Sequence, residues 1–264
     1  MKPYALITGA TAGIGKEFAT QLAATGWNLV LIARRQNLLE EIAQALSKQY
    51  KIKAHTIVAD LSKHDQVQKI YAQCQENNLK VAMLVNNAGY GVPGDFEKSS
   101  WQIHSDSLQV MLNSVVELCY VFYPNMLKER YGRIINVASL AGFAPPTACH
   151  TLYGATKSFL IRFSHSLHLE AQDKGVHVTA LCPGFTYTEF HDVNGTRSMV
   201  KKLPKFMWMN ATDVVKQGII AVEKNKAIKI NGKINRTIAA ISSAFPDWLT
   251  RMLFAGKTNK YRKR

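Results

Sequence analysis

Tyr4-Ala-Leu-Ile-Thr8 runs directly into Gly9-Ala-Thr-Ala-Gly13-Ile-Gly15, and an apolar set at helix spacing (Ile14, Phe18, Leu22, Ala23) follows at once. A short apolar run that ends in glycines and opens a helix reads as a strand–turn–helix joint. Glycines there let the backbone turn tightly, and they let a pyrophosphate approach the free N–H groups of the helix N-terminus. The spacing is G-x-x-x-G-x-G rather than G-x-G-x-x-G, so the commonest dinucleotide fingerprint is absent. A plain glycine-rich turn is the competing reading.

Outward from this joint the same alternation repeats. Strand-like runs are expected at Asn28–Ala33, Ile52–Val58, Lys80–Val85, Gly132–Ala138, Val176–Leu181 and Ala227–Ile230. Helical patterns fill the intervals, including a long one from about Trp101 to Lys128 and others ending near Asp173 and Lys224. The order implies an α/β fold, a doubly wound parallel sheet of about seven strands with helices on both faces and right-handed crossovers. No repeat, low-complexity tract or linker interrupts it, so a single domain is expected.

Composition narrows the class. With 264 residues, 47% hydrophobic and 19% charged, the chain is an ordinary globular one with material for a large core. No apolar run approaches the roughly 20 residues of a membrane span, and Met1-Lys2-Pro3 leaves no room for a signal peptide before the first strand. Cys74, Cys119, Cys149 and Cys182 lack C-x-x-C spacing, which suggests reduced thiols, a cytoplasmic setting and no metal site. The net charge of +15 calls for an anionic partner: a phosphorylated cofactor, an acidic carrier or a membrane surface. Nucleic acid is disfavoured because no recognition motif is present.

Several positions could carry chemistry. After the second strand come Ala33, Arg34 and Arg35, where folds that prefer NAD place an acid. An arginine there binds a 2′-phosphate with paired, charge-assisted hydrogen bonds, so Arg34 points to NADP(H), while Arg35 could simply begin a solvated helix. Asp60, past the third strand, either meets an adenine edge or caps the next helix. Asn86-Asn87-Ala88-Gly89 after the fourth strand either lines a cofactor floor or forms a turn. Tyr153 and Lys157 are four apart on one helix face, and Ser139 stands fourteen residues before Tyr153. A phenol with a pKa near ~10 is a poor acid or base at neutrality. A fixed ammonium beside it is expected to lower that value, and a serine hydroxyl can hold a substrate oxygen within its reach.

Taken in order, T-G-x-x-x-G-I-G at 8–15, N-N-A-G at 86–89, Ser139, Y-x-x-x-K at 153–157 and P-G at 183–184 resemble the short-chain dehydrogenase/reductase family. The likeness extends over about residues 3–230. It implies a Rossmann-type fold, a nicotinamide cofactor and a homodimer or homotetramer. It also implies roles: Tyr153 as proton donor or base, Lys157 as the group that lowers its pKa and holds the nicotinamide ribose, and Ser139 as the polariser of the substrate oxygen. Gly9, Gly13 and Gly15, with Thr11 and Ile14, would form the pyrophosphate turn. Asn87, Ala88 and Gly89 would underlie the adenosine, and Pro183, Gly184, Thr186 and Thr188 would fix the nicotinamide. One position departs. The family's fourth catalytic residue, an asparagine in the long helix, aligns with Met111, and the nearest asparagine, Asn113, is about 200° around a regular helix.

Residues 185–209 are expected to form a substrate lid rich in Met and aromatics, including Phe185, Tyr187, Phe190, Met199, Phe206 and Trp208. Such side chains mould around a bulky apolar ligand. Residues 231–264 follow the core of 1–230 as an apolar stretch, with Ile241, Phe245, Trp248 and Phe254, and then a basic cluster from Lys257 to Arg264. This extension belongs either to the same domain or to a tail that contacts a membrane surface. The sequence therefore leads to an NADP(H)-dependent enzyme that reduces a carbonyl, or oxidises the alcohol, of a lipophilic substrate such as a 3-oxoacyl thioester or polycyclic ketone. A non-catalytic NADP(H)-binding regulator of the same fold is the alternative.

Overall fold

The computed structural model describes residues 3–146, 148, 150–189 and 204–244. Among them, seven strands form one parallel sheet: β1 (Tyr4–Thr8), β2 (Asn28–Ala33), β3 (Ala54–Val58), β4 (Val81–Asn86), β5 (Gly132–Val137), β6 (Val176–Cys182) and, last, β9 (Ile228–Ile230). Their order is β3-β2-β1-β4-β5-β6-β9. Direction reverses between β1 and β4, which opens a crevice at their C-terminal ends, where such sheets bind ligands. β3 starts at Ala54, later than expected, because the Lys53 N–H turns aside to the Asn28 side chain at 2.9 Å.

Both faces of the sheet are covered, and side chains alternate between them. Ala5, Ile7, Leu29 and Leu31 face α1 (Gly13–Ala24), α2 (Gln36–Tyr50) and α7 (Ala211–Glu223), with Phe18, Leu39 and Val214 completely buried there. Leu6, Val30 and Ile32 face α3 (Gln66–Glu76), through Ile70, and the long helical stretch, through Leu118 and Phe122.

That stretch is α4 (Trp101–Leu108), a π-helical turn (Gln109–Asn113) and α5 (Ser114–Lys128). Contrary to the sequence expectation, Trp101–Lys128 is long and apolar enough to span a membrane. Here its apolar side packs on the sheet through Leu118, Cys119, Phe122 and Met126. The remaining helix of the core, α6 (Thr151–Glu170), carries Tyr153 and Lys157.

The expected lid contains two short strands, β7 (Phe185–Tyr187) and β8 (Trp208–Asn210), paired in parallel. Phe190 and Met199 lie outside the described residues. Beyond β9, helix α8 (Lys233–Ala244) buries Asn235 and Ala239. Asn235 sits so close to Gly184 that a Cβ there would fall 2.4 Å from its amide nitrogen. The residues from Phe245 onward, including the basic cluster, lie outside the described residues.

Candidate active site

The crevice is a cavity of about 1390 Å³, and every expected site residue except Gly15 lines it. At the first turn, Gly9 and Gly13 take φ of +67° and +50°, the left-handed region that only glycine occupies without strain. Gly15 has a different task, which corrects the expectation. A Cβ on it would fall 2.2 Å from the Gly9 carbonyl oxygen and 2.4 Å from the Asn87 amide nitrogen. It lets α1 close on the turn and does not touch the cavity.

The two strand ends beside the crevice are tied together. Asn87 Nδ2 donates to the Thr8 carbonyl at 2.9 Å, and the N–H groups of Asn87 and Ala88 both donate to Thr8 Oγ1 at 3.0 Å. Across the cavity, Thr188 leans over Gly13, whose Cβ would lie 3.0 Å from that of Thr188. Thr186 Oγ1 donates to the Gly184 carbonyl at 3.1 Å, and the Pro183 carbonyl accepts from Leu140 N–H at 2.8 Å. The loop after β6 is thereby joined to the turn that follows Ser139.

At the far end Arg34 is exposed on the cavity wall. Arg35, given no clear role by the sequence, lines it as well: Nη2 donates to Thr11 Oγ1 at 3.1 Å and lies 3.9 Å from Glu189. Asp60 accepts from the Ser62 N–H at 3.1 Å. Because α3 begins only at Gln66, this closes a turn and caps no helix. Tyr90 and Asp106 also line this end and belong to no recognised motif. Burial raises the Tyr90 phenol pKa, Asp106 adds to the rise, Arg34 opposes it and Asp60 reinforces it. Four distant segments thus converge on one small region.

At the other end Ser139 follows β5 with an extended backbone, and its Oγ accepts from Ala141 N–H at 3.1 Å. Lys157 is buried, its Nζ donates to the Val137 carbonyl at 2.8 Å, and it stands 5.7 Å from the Tyr153 ring centre. Burial lowers the Lys157 pKa to about 8, with a small opposing contribution from the Cys182 thiol. For Tyr153, burial raises the pKa and the hydrogen bond with Ser139 opposes the rise.

The π turn settles which way the two disputed helix residues face. Met111 is 1% exposed, whereas Asn113 is exposed and donates to Gln109 Oε1 at 2.8 Å. A Cβ on Gly89 would lie 3.3 Å from Met111 Cγ and 3.8 Å from Lys157 Nζ. A thioether therefore packs on Gly89 near the lysine, at the position where the resemblance to the family leads one to expect an asparagine.

The site fits an extended phosphorylated dinucleotide: a glycine cradle in the middle, arginines at one end, and a Ser–Tyr–Lys group at the other. The profile of the short chain dehydrogenase family matches residues 3–198. The chain is 30% identical over 251 residues to the very-long-chain 3-oxoacyl-CoA reductase of Bos taurus, covering 93% of this chain and 76% of that one. It is 36% identical over 184 residues to hydroxysteroid dehydrogenase-like protein 1 of Gallus gallus, covering 68% of this chain and only 54% of that longer protein. In structure it resembles a short-chain dehydrogenase from Sphingobium yanoikuyae in complex with NADPH, with a TM-score of 0.81, 26% identity and coverage of 92% and 96%. The glycine cradle, the arginine end and these likenesses together make the chain a member of the short-chain dehydrogenase/reductase family, an NADP(H)-dependent oxidoreductase.

Proposed function

We propose that the protein reduces the carbonyl of a lipophilic substrate, a 3-oxoacyl thioester or a polycyclic ketone. The observation that carries this reading is an apolar group in the lining of the cavity that also holds Ser139 and Tyr153. It is built from Ala144, Pro145, Pro146, Ala148 and Phe185, which offer bulk and no charge. Against these side chains a ring system or acyl chain gains about 25 cal/mol for each Å² it removes from water. The bovine relative named for a 3-oxoacyl-CoA and the chicken relative named for hydroxysteroids support the same class.

NADPH held in this cavity would supply the hydride for the carbonyl carbon. The protein does the rest. Ser139 holds the carbonyl oxygen by a hydrogen bond and so polarises it. Tyr153, kept protonated by its burial, lies hydrogen-bonded to Ser139 and gives its proton to that oxygen as negative charge develops. Lys157 holds the nicotinamide ribose and offsets the phenolate left behind. Arg34 would hold the 2′-phosphate, beside the Arg35–Thr11 hydrogen bond at that end. Free, buried thiols at Cys74, Cys119 and Cys182 support a cytoplasmic setting. The exposed aromatics Tyr120 and Phe159 on α5 and α6 support a homo-oligomer.

The test is NADPH oxidation across a panel of 3-oxoacyl thioesters, polycyclic ketones and small polar ketones. Wild type should prefer the first two classes, and Tyr153→Phe should lose at least about a hundredfold in kcat while still binding NADPH. Turnover confined to the polar ketones would sink the substrate reading.

A further inference from the structure

A histidine at the catalytic end of the cavity takes no part in the mechanism above. His150 lines the cavity and stands immediately before α6, three residues from Tyr153. The Tyr153 N–H donates to the His150 carbonyl at 3.2 Å, which closes the first turn of the helix between them. Residues three apart on a helix have Cβ atoms roughly 5–6 Å apart, and His150 lies about 60° from Tyr153 around the axis. Thr151 and Ser158 also line the cavity, but they lie about 160° and 140° from Tyr153.

The backbone carbonyl of His150 has a partner and its ring has none. The imidazole makes no capping hydrogen bond to α6. Among the described residues, none is hydrogen-bonded to either ring nitrogen. Ser139 and Tyr153, by contrast, bond each other, Lys157 donates to the Val137 carbonyl, and Thr186 donates to the Gly184 carbonyl. Burial lowers the His150 pKa, so the ring is held away from water and is neutral at pH 7. A neutral imidazole carries one N–H donor and one nitrogen acceptor. A desolvated donor without a partner costs free energy that a ligand accepting from it recovers.

We infer that His150 is a specificity-determining residue that donates a hydrogen bond to a second carbonyl oxygen of the substrate, so that the site selects 1,3-dicarbonyl compounds. Of the two classes proposed above, this is the 3-oxoacyl thioester, and the inference rests on that proposed carbonyl reduction. In such a thioester the reacting carbonyl and the thioester carbonyl are joined through a single methylene. With the reacting oxygen held by Ser139 and Tyr153, the thioester oxygen comes within reach of a residue one helical turn away. A polycyclic monoketone would leave the imidazole unpaired against its apolar framework, which disfavours it.

The experiment is steady-state NADPH oxidation with a 3-oxododecanoyl thioester, a polycyclic monoketone, and the matching thioether ketone in which a methylene replaces the thioester carbonyl. Wild type should favour the thioester over the thioether ketone in kcat/KM. His150→Leu should cut that preference about three- to tenfold, the effect of one hydrogen bond. The loss should fall on KM for the thioester, because the second oxygen is bound alike in the ground and transition states. His150→Gln keeps a donor and should restore most of the preference. Unchanged melting temperature and NADPH binding will show that both variants are folded. The inference is overturned if wild type shows no such preference, if His150→Leu keeps it, or if His150→Gln behaves as His150→Leu does. Reduction of the ketones without that preference removes the role of His150 and leaves carbonyl reduction standing. Failure of wild type to reduce any of the three compounds removes both.

Discussion

Lys157 Nζ donates to the Val137 carbonyl at 2.8 Å, which pins the ammonium to the end of β5 one helical turn from Tyr153. The site holds this lysine in position at the expense of its charge: burial brings its pKa to about 8 from an ordinary 10.5.

The first consequence is a pH limb. In the proposed mechanism the ammonium is the form that would bind the nicotinamide ribose and offset the phenolate. It is intact below about 8 and lost above. The kcat/KM for NADPH in the reducing direction should therefore be level at neutrality and fall about tenfold per pH unit on the alkaline side. An initial-rate profile from pH 6 to 10 checks this, and a level profile through pH 9.5 would contradict it.

The same pair of values has a stability consequence. Between about 8 and 10.5 the unfolded chain binds a proton that the folded chain has released, so this group makes stability rise with pH across that window. Below the window the folded state carries the full penalty, on the order of 3 kcal/mol. Lys157→Met removes it and gives back about 1 kcal/mol through the unpaired Val137 carbonyl. The variant should be inactive yet more stable than wild type by roughly 2 kcal/mol at pH 7, with the gap closing near pH 10. Denaturant melts at the two pH values will measure this.

Arg34 and Arg35 should separate by cofactor. Arg34→Ala removes a charge-assisted contact to the 2′-phosphate and should raise the KM for NADPH about ten- to a hundredfold, with little change for NADH. Arg35→Ala frees Thr11 at the glycine turn, which both cofactors use, so both KM values should rise severalfold. Steady-state kinetics with the two cofactors will distinguish these patterns. Equal losses for both cofactors in Arg34→Ala would remove it from the phosphate site.

What was legible in the sequence follows from how local each signal is. The joint at Thr8–Gly15 could be read because an apolar run, glycines and a helix period sit within a dozen residues, and Tyr153 and Lys157 because four residues on a helix fix a shared face. Gly15 was assigned to the right turn and the wrong task, since spacing cannot distinguish a glycine that faces a ligand from one that faces a carbonyl. Tyr90, Asp106 and the reach of Arg35 could not be read at all. They come from the segments after β4 and β2 and from α4, and only the fold brings them to one end of a cavity. The burial that raises the Tyr153 pKa could not be read either, because burial is a property of the whole packing, whereas a lysine four residues on is visible in the sequence.

Met111 follows the same logic, and it can be tested by restoring the family residue. A regular helix already turns Asn113 about 200° away from Met111, and within the π turn at Gln109–Asn113 Met111 is indeed buried beside Gly89 while Asn113 is exposed. A thioether accepts hydrogen bonds weakly, so it does little to hold the ammonium in its charged form. An amide oxygen at that position would favour the charged form. Met111→Asn should therefore move the alkaline limb of kcat/KM upward from about 8 while lowering stability, because a fully buried apolar side chain is replaced by an amide. A purely structural role for Met111 would lower stability and leave the limb in place. Overlaying the two pH profiles decides between these outcomes, and Met111→Leu, which keeps the apolar wall, should reproduce the wild-type profile.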